Sequence, residues 1–258
     1  MEGLHDAILD WYGAVRRDLP WRRTTDPYAI LVSEVMLQQT QVARVVPRYE
    51  AWLERWPAAA ALAGATPADV LREWVGLGYN RRALRLREAC SIVARDGWPR
   101  TAEGLRALPG VGPYTAAAVA SFAFGEPAAA VDTNVARVAG RLGRGEPAEL
   151  LPAGREGEWN QAMMELGATV CRARAAACGA CPAARWCASR DRVAVEPRGA
   201  ARGRFEDSNR WVRGRIVAAL ASGEALPADI APERLERALH GLLRDGLVRR
   251  TAAGLSLG

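Results

Sequence analysis

At 258 residues the chain is long enough for one large domain or two smaller ones, and no apolar run approaches the roughly 18–20 residues of a membrane span. The formal net charge of +6 suits a polyanionic partner. All 35 basic residues are arginine, so no side-chain amine is available to form a Schiff base.

The pattern is helical along most of the chain. The opening stretch MEGLHDAILDWYGAVRRDLPW reads as an amphipathic helix over about 4–17. It lacks the basic start, apolar stretch and small-residue cleavage site of a secretory signal, which points to a cytoplasmic protein. Further helices are expected at about 27–39, 44–56, 67–75, 81–95, 102–107, 114–124, 132–142 and 156–170, separated by Pro, Gly or Asn. Cys90, in RLREACSIVA, fits a small core residue. LPGVGPYTAAAV, Leu108 to Val119, sets Gly110 and Gly112 on a turn that opens an alanine-rich helix. Such a helix start offers unpaired N–H groups and a partial positive charge, an anion site; the bland alternative is a tight corner.

Four of the five cysteines crowd into CRARAAACGACPAARWC: Cys171, Cys178, Cys181 and Cys187, spaced C-x6-C-x2-C-x5-C. In a cytosolic chain this clustering argues for metal over disulfides. A zinc ribbon shows two separated C-x2-C knuckles and this run has one. Four thiolates so close together suit an iron–sulfur cluster, with zinc and a disulfide knot as the alternatives. After the cysteines, a polar, arginine-rich stretch at 191–207 reads as a linker. RWVRGRIVAALAS and APERLERALHGLLRDG follow as amphipathic helices, the second ended by Gly246. LVRRTAAGLSL then looks like two short strands around a turn. That order is the order of a winged helix, a module that contacts duplex DNA in some proteins and only packs or binds protein in others.

LPGVGPYTA, VDTNVARV and the four-cysteine run together resemble the helix-hairpin-helix DNA glycosylases that carry an iron–sulfur cluster, the endonuclease III superfamily. DPYAILVSEVMLQQTQVARVVPRYEAWLERWP (residues 26–57) and GLGYNRRALRL are similar to the MutY-type adenine glycosylases. The resemblance runs from about residue 5 to 190. It implies an all-α fold of two helical subdomains, with residues 1–20 and 129–190 forming a cluster domain and 21–128 a six-helix domain that contains the hairpin. The linker at 191–207 then leads to a winged-helix-like module at 208–258. It implies a [4Fe-4S] cluster on Cys171, Cys178, Cys181 and Cys187 that folds a loop bearing Arg172, Arg174, Arg185 and Arg190. It implies as partner double-stranded DNA containing a mispaired or damaged base, and a nucleoid-associated monomer with no membrane contact is expected.

The resemblance also assigns roles. Cleaving an N-glycosidic bond requires neutralising the leaving base and stabilising a cationic sugar, and two carboxyl groups do both. Glu34 matches the family's general acid, which protonates adenine at N7; amid the hydrocarbon of YAILVSEVML its desolvation favours the protonated form. Asp132 matches the carboxylate that stabilises the oxocarbenium ion, although an N-cap is its bland reading. Asn134 and Tyr114 match residues that support Asp132. Arg22 matches an arginine of the active-site wall, and its neighbour Arg23 reads as solvated. Tyr114 stands where lyase members carry a Schiff-base lysine, so the chain reads as a monofunctional glycosylase. Gly110, Val111 and Gly112 match the backbone amides that grip a DNA phosphate, while Leu108 packs the hairpin. Gln39, Thr40, Leu77 and Tyr79 match the positions that wedge into the duplex and fill the gap left by a flipped base.

Two departures stand out. The last fifty or so residues do not resemble the nucleotide-pyrophosphohydrolase-like domain with which fuller members examine 8-oxoguanine. Asn80 also stands where those enzymes often have a second tyrosine. The alternatives are a mismatch glycosylase for thymine or uracil opposite guanine and, in another class, an iron–sulfur winged-helix regulator.

Overall fold

The computed structural model describes residues 3–190, 192, 203–252 and 254–258, so most of the expected linker lies outside the described residues. The helices are α1 (Leu4–Val15), α2 (Pro27–Leu37), α3 (Val42–Arg55), α4 (Ala59–Gly64), α5 (Pro67–Glu73), α6 (Arg81–Asp96), α7 (Ala102–Arg106), α8 (Pro113–Phe124), α9 (Thr133–Leu142), α10 (Glu156–Thr169), α11 (Asn209–Ser222) and α12 (Pro232–Arg244). Two strands close the chain, β1 (Val248–Thr251) and β2 (Gly254–Leu257). They pair antiparallel, with Val248 opposite Leu257 and Thr251 opposite Gly254. The all-α fold class read from the sequence holds: the described residues are mostly helical, with one hairpin among them. Helix α4 was not anticipated, because six residues of AAALAG give no readable polar stripe.

Side-chain caps set where the helices begin. Asp26 accepts from the amides of Tyr28 and Ala29 (both 3.2 Å) and Pro27 opens α2. Thr66, Thr101, Asp132 and Ser208 do the same for α5, α7, α9 and α11. Left-handed glycines Gly125, Gly143 and Gly223 end α8, α9 and α11.

The chain divides into two compact units. The first comprises Met1–Leu31, Trp98–Ala107 and Val111–Arg198. Its core joins α1, α9 and α10 through Leu4, Ile8, Tyr12, Val138, Trp159 and Met163. The second comprises Val32–Gly97, Leu108–Gly110 and Gly199–Gly258. Here Trp52 meets Trp56 and Trp74 edge-on, with ring centroids 4.6 and 5.4 Å apart. The C-terminal helices and hairpin are not a free-standing lobe. Val212 and Ile216 of α11, Leu242 of α12 and Leu257 of β2 share one apolar core with Leu71 of α5. That contact joins segments some 140 residues apart, beyond the reach of local periodicity.

Candidate active site

Helix α2 is buried nearly all round, from Tyr28 to Met36. Glu34 lies within this run, only 5 % exposed, so it is an interior carboxyl and not the solvated helix residue of the bland reading. Glu34 belongs to the second unit.

The backbone of that unit takes two unusual turns, one just past α2 and one in the GLGYN loop. Gln39 and Tyr79 have φ of 57° and 47°, left-handed values that cost a non-glycine residue about 1–3 kcal/mol each. Both are held by a residue that sequence reasoning missed, Arg82. Its guanidinium donates to the carbonyls of Val35 (2.5 Å) and Gln38 (2.6 Å) at the end of α2, and to those of Leu77 (3.0 Å) and Gly78 (2.9 Å) in the GLGYN loop. It also lies 5.2 Å from the Trp74 ring centroid and 5.6 Å from that of Tyr79. No carboxylate pairs with Arg82 among the described residues; carbonyl dipoles at a helix C-terminus hold the cation instead. Burial pushes its pKa down to about 10, so it stays charged through neutral pH. The hydroxyl of Thr40 donates to the Leu77 carbonyl (3.3 Å), a third tie between the two segments.

This geometry displays some expected duplex-facing positions and hides one. Gln39 is exposed and the Tyr79 ring is 45 % exposed. Leu77 is buried at 4 %, so in this conformation the loop offers Tyr79 and not Leu77 to solvent. Thr40 is half-buried and serves the joint.

The turn between α7 and α8 follows its sequence closely. Gly110 has φ of 78°, and a Cβ there would come within 2.7 Å of the Arg85 Cβ, so only glycine fits. Gly112 caps α8 and Pro113 opens it, leaving the first amides of the helix without intrahelical acceptors. Leu108 and Val111 are buried at 4 % and 8 %, anchoring the turn from inside.

In the first unit, Asp132 does two jobs. One carboxylate oxygen accepts the Val135 amide (2.7 Å) and caps α9; the other accepts from the Asn134 side-chain amide (2.8 Å). Asn134 is fixed in turn by Arg137, which donates to its carbonyl oxygen (2.7 Å) and to the backbone carbonyls of Gly167 (2.8 Å) and Cys171 (2.9 Å). A continuous polar line thus runs from Asp132 to the first cysteine. Arg137 had no local signal in the sequence. The Tyr114 hydroxyl lies 3.6 Å from the Met164 sulfur, and its ring packs on the small cluster of Ala117, Ala118 and Ala130.

Arg22 takes part in a buried ion pair. It donates to Glu165 (2.7 Å), as does Arg17 (2.7 and 3.0 Å), and Glu165 is 1 % exposed. Burial alone would push the Glu165 carboxyl up. The hydrogen bonds and charges of Arg17 and Arg22 outweigh it and hold the group below its ordinary value. Arg23 is largely exposed, paired with Asp18.

The four clustered cysteines are free thiols, all half-buried, and they line one pocket with Arg141 and Arg190. Burial, then the nearness of Cys171, Cys187 and Cys178, pushes the Cys181 thiol up. Arg141 donates to the Cys171 sulfur (3.4 Å) and to the carbonyls of Arg172 (2.9 Å) and Ala173 (3.0 Å). Among the described residues, no three His, Cys, Asp or Glu side chains are gathered closely enough to hold one metal ion. A zinc ion requires four donors at about 2.0–2.3 Å from one point. A cluster of several irons takes its thiolates at separate corners, so four sulfurs around one pocket fit a cluster better than an ion. Arg172, Arg174, Arg185 and Arg190 are exposed around this loop. Cys90 is fully buried and burial pushes its thiol up to about 12, an inert core residue as expected.

No helix of the described residues is long and apolar enough to cross a membrane. The glycine hairpin and helical units define a helix-hairpin-helix protein: residues 32–153 match the family model described as HhH-GPD superfamily base excision DNA repair protein. The chain is similar to an adenine DNA glycosylase of Mycolicibacterium smegmatis, 44 % identical over 277 residues that cover 96 % of this chain and 93 % of the relative. Among solved structures, it resembles a thermostable thymine-DNA glycosylase (30 % identity, TM-score 0.68, covering 72 % of this chain and 94 % of that one). It likewise resembles endonuclease III in a non-covalent complex with DNA (25 % identity, TM-score 0.62, covering 72 % and 93 %). The chain belongs to the adenine DNA glycosylase family within this superfamily.

Proposed function

We propose that this protein is a monofunctional DNA glycosylase of base excision repair that flips and excises adenine opposite 8-oxoguanine or guanine. The observation that carries the reading is the near full-length similarity to an adenine DNA glycosylase, joined to a buried glutamate at the position expected for the general acid. In this reading Glu34 delivers a proton to the leaving adenine, because a purine with a protonated ring departs as a neutral base. Asp132 stabilises the positive charge that develops on the sugar, and Asn134 and Tyr114 orient it. Arg22 supports the site by fixing Glu165. Gly110, Val111 and Gly112 offer backbone N–H groups to a phosphate of the duplex. Gln39 and Tyr79 fill the gap after flipping, with Thr40 and Leu77 shaping the loop that carries them.

Cys171, Cys178, Cys181 and Cys187 would hold a [4Fe-4S] cluster, whose contribution is to staple the loop of exposed arginines. The chain's own residues prepare that loop: Arg141 and Arg137 tie its carbonyls to α9. The protein acts as a cytoplasmic, nucleoid-associated monomer. Its cluster domain is formed by 1–20 and 129–190, its six-helix domain by 21–128, and a winged-helix-like module by 208–258. With tyrosine at 114 and no lysine anywhere, base release leaves the strand uncut.

The second reading, excision of thymine or uracil opposite guanine, draws on the thymine-DNA glycosylase likeness. Single-turnover base release from duplexes of one sequence separates the two. Adenine opposite 8-oxoguanine, guanine and thymine is compared with thymine and uracil opposite guanine, and strands are scored with and without alkali. Alkali-dependent cleavage at adenine, abolished by Glu34→Gln, is the expected result. Release of a pyrimidine alone would overturn the adenine assignment. Base release undiminished in Glu34→Gln would remove Glu34 as the acid.

A further inference from the structure

Three exposed side chains of the second unit make a stack that folding does not require. The guanidinium of Arg210, in the first turn of α11, lies 4.8 Å from the Tyr79 ring centroid and 4.9 Å from that of Phe205. It also donates to the Tyr79 hydroxyl. Tyr79 is 45 % exposed, Phe205 is 50 % exposed and Arg210 is exposed, so neither ring contributes much to a core. Beside the stack runs a groove of about 430 Å³ lined by Gln39, Arg44, Tyr79, Arg210, Trp211 and Arg215, among others. Its lining holds Arg44, Arg210 and Arg215 and, among the described residues, no carboxylate; Arg215 is paired with Asp229 (2.8 Å) just outside the groove. A second groove, of about 450 Å³, shares Tyr79, Asn80 and Arg210 with the first.

The chemistry of this lining selects its occupant. A simple anion site has no use for three aromatic faces, and an apolar peptide groove has none for three arginines. Rings that stack, guanidinium groups that neutralise phosphate and donate to carbonyl edges, and the amides of Gln39 and Asn80 together match a nucleotide. Position narrows the choice, and this step rests on the proposed function. If Gln39 and Tyr79 fill the gap left by a flipped base, the base across the gap loses its partner beside Tyr79, where Arg210 stands. Guanine and its 8-oxo form both present a carbonyl edge there, and the forked guanidinium suits such an edge.

We infer that Arg210, with Phe205, forms a binding site for the orphaned guanine-type base of the strand opposite the excised base, Arg210 donating to its carbonyl edge. The C-terminal module is thereby part of the recognition surface. It supplies contacts to the opposite base without the pyrophosphohydrolase-like domain of fuller relatives.

The test uses the full chain and duplexes in which the target adenosine carries a 2′-fluoro group that blocks excision, so binding is read without catalysis. The position opposite carries 8-oxoguanine, guanine or a baseless tetrahydrofuran, and Kd is measured by fluorescence anisotropy at fixed salt. Wild type is expected to prefer the two base-bearing duplexes over the baseless one. Arg210→Gln is expected to lose about tenfold on the base-bearing duplexes and little on the baseless one. Arg210→Lys, which keeps the charge but not the fork, should lose nearly as much. Equal weakening on all three duplexes would reduce Arg210 to a phosphate contact and overturn the site; so would no weakening at all. Tyr79→Phe, which deletes the hydroxyl that Arg210 holds and keeps the ring, should lose less than Arg210→Gln on the base-bearing duplexes. If it reproduces Arg210→Gln, Arg210 only positions Tyr79 and the assignment falls. Failure of the proposed function appears elsewhere, as absence of adenine release by wild type on cleavable duplexes, and leaves this binding comparison readable.

Discussion

Replacing Arg82 by methionine keeps most of the apolar stem and removes the guanidinium that bridges the end of α2 to the GLGYN loop. Four short hydrogen bonds go with it, to the carbonyls of Val35, Gln38, Leu77 and Gly78 at 2.5, 2.6, 3.0 and 2.9 Å. Hydrogen bonds from a charged donor contribute about 1.5–3 kcal/mol each, so the gross loss is about 6–12 kcal/mol. Two effects oppose it. The burial that lowers the pKa of Arg82 to about 10 is a standing cost that the variant escapes, and loop carbonyls released from the cation recover water. A net loss of about 3–5 kcal/mol is expected, the range for removing one member of a buried charged network. Equilibrium unfolding in urea at pH 7 reads it as a lower midpoint with unchanged slope. Arg82→Lys should recover less than half, because a compact ammonium cannot span both segments as the fork does. The deficit should be flat from pH 6 to 8. A cation with a depressed folded pKa loses its proton in the folded state first, so its burial cost is relieved only as pH rises past about 10. An Arg82→Met variant within 1 kcal/mol of wild type, or full recovery by lysine, would refute the account of a fork holding two segments.

Other outcomes follow from the same structure. Asp132→Asn should abolish base release while keeping the α9 cap and losing only the bond from the Asn134 amide; Asp132→Ala should lose the cap as well, about 1 kcal/mol more. Glu165→Gln should cost about 3–5 kcal/mol by stranding Arg17 and Arg22. Because the folded pKa of Glu165 is depressed, its contribution is complete above the unfolded value of 4.5 and is lost as pH falls below it. Acid titration of wild type against the Gln variant, by circular dichroism, should show that difference shrinking below pH 4.5. Iron and acid-labile sulfide should bind the purified chain and drop sharply in Cys181→Ala; a stoichiometric zinc content instead would favour the ion. Borohydride added during base release should trap no protein–DNA adduct, and a trapped adduct would refute monofunctional chemistry.

Local chemistry was readable where it sets local structure. Asp132 announces a helix start, and Gly110 announces a turn that no other residue fits. Glu34 was legible as an anomaly, a charge inside an apolar run, and its burial agrees. What stayed hidden depends on distant segments. Nothing around Arg82 in GLGYNRRALRL says which of its arginines turns inward, because the carbonyls that hold it lie more than forty residues upstream. Arg137 was one arginine among many until its acceptors came from α10 and the cysteine loop. The partner of Arg22, Glu165, is 143 positions away, too far for the local pattern to name it. Leu77 was placed at the duplex by resemblance, and the turn of its loop buries it. The docking of α11 on α5 had no sequence signal, since an amphipathic helix does not say what covers its apolar face.

The polar line from Asp132 through Asn134 and Arg137 to the Cys171 carbonyl makes the aim of a carboxylate depend on a loop that the ribosome delivers later. Until that loop is seated, Arg137 keeps its bond to Gly167 but lacks its second carbonyl anchor at Cys171, so Asn134 is braced from one side only while Asp132 keeps its capping bond. Unfinished or damaged copies of the chain would then be silent and not indiscriminate. For a protein that strips bases from a genome, silence is the safer way to fail.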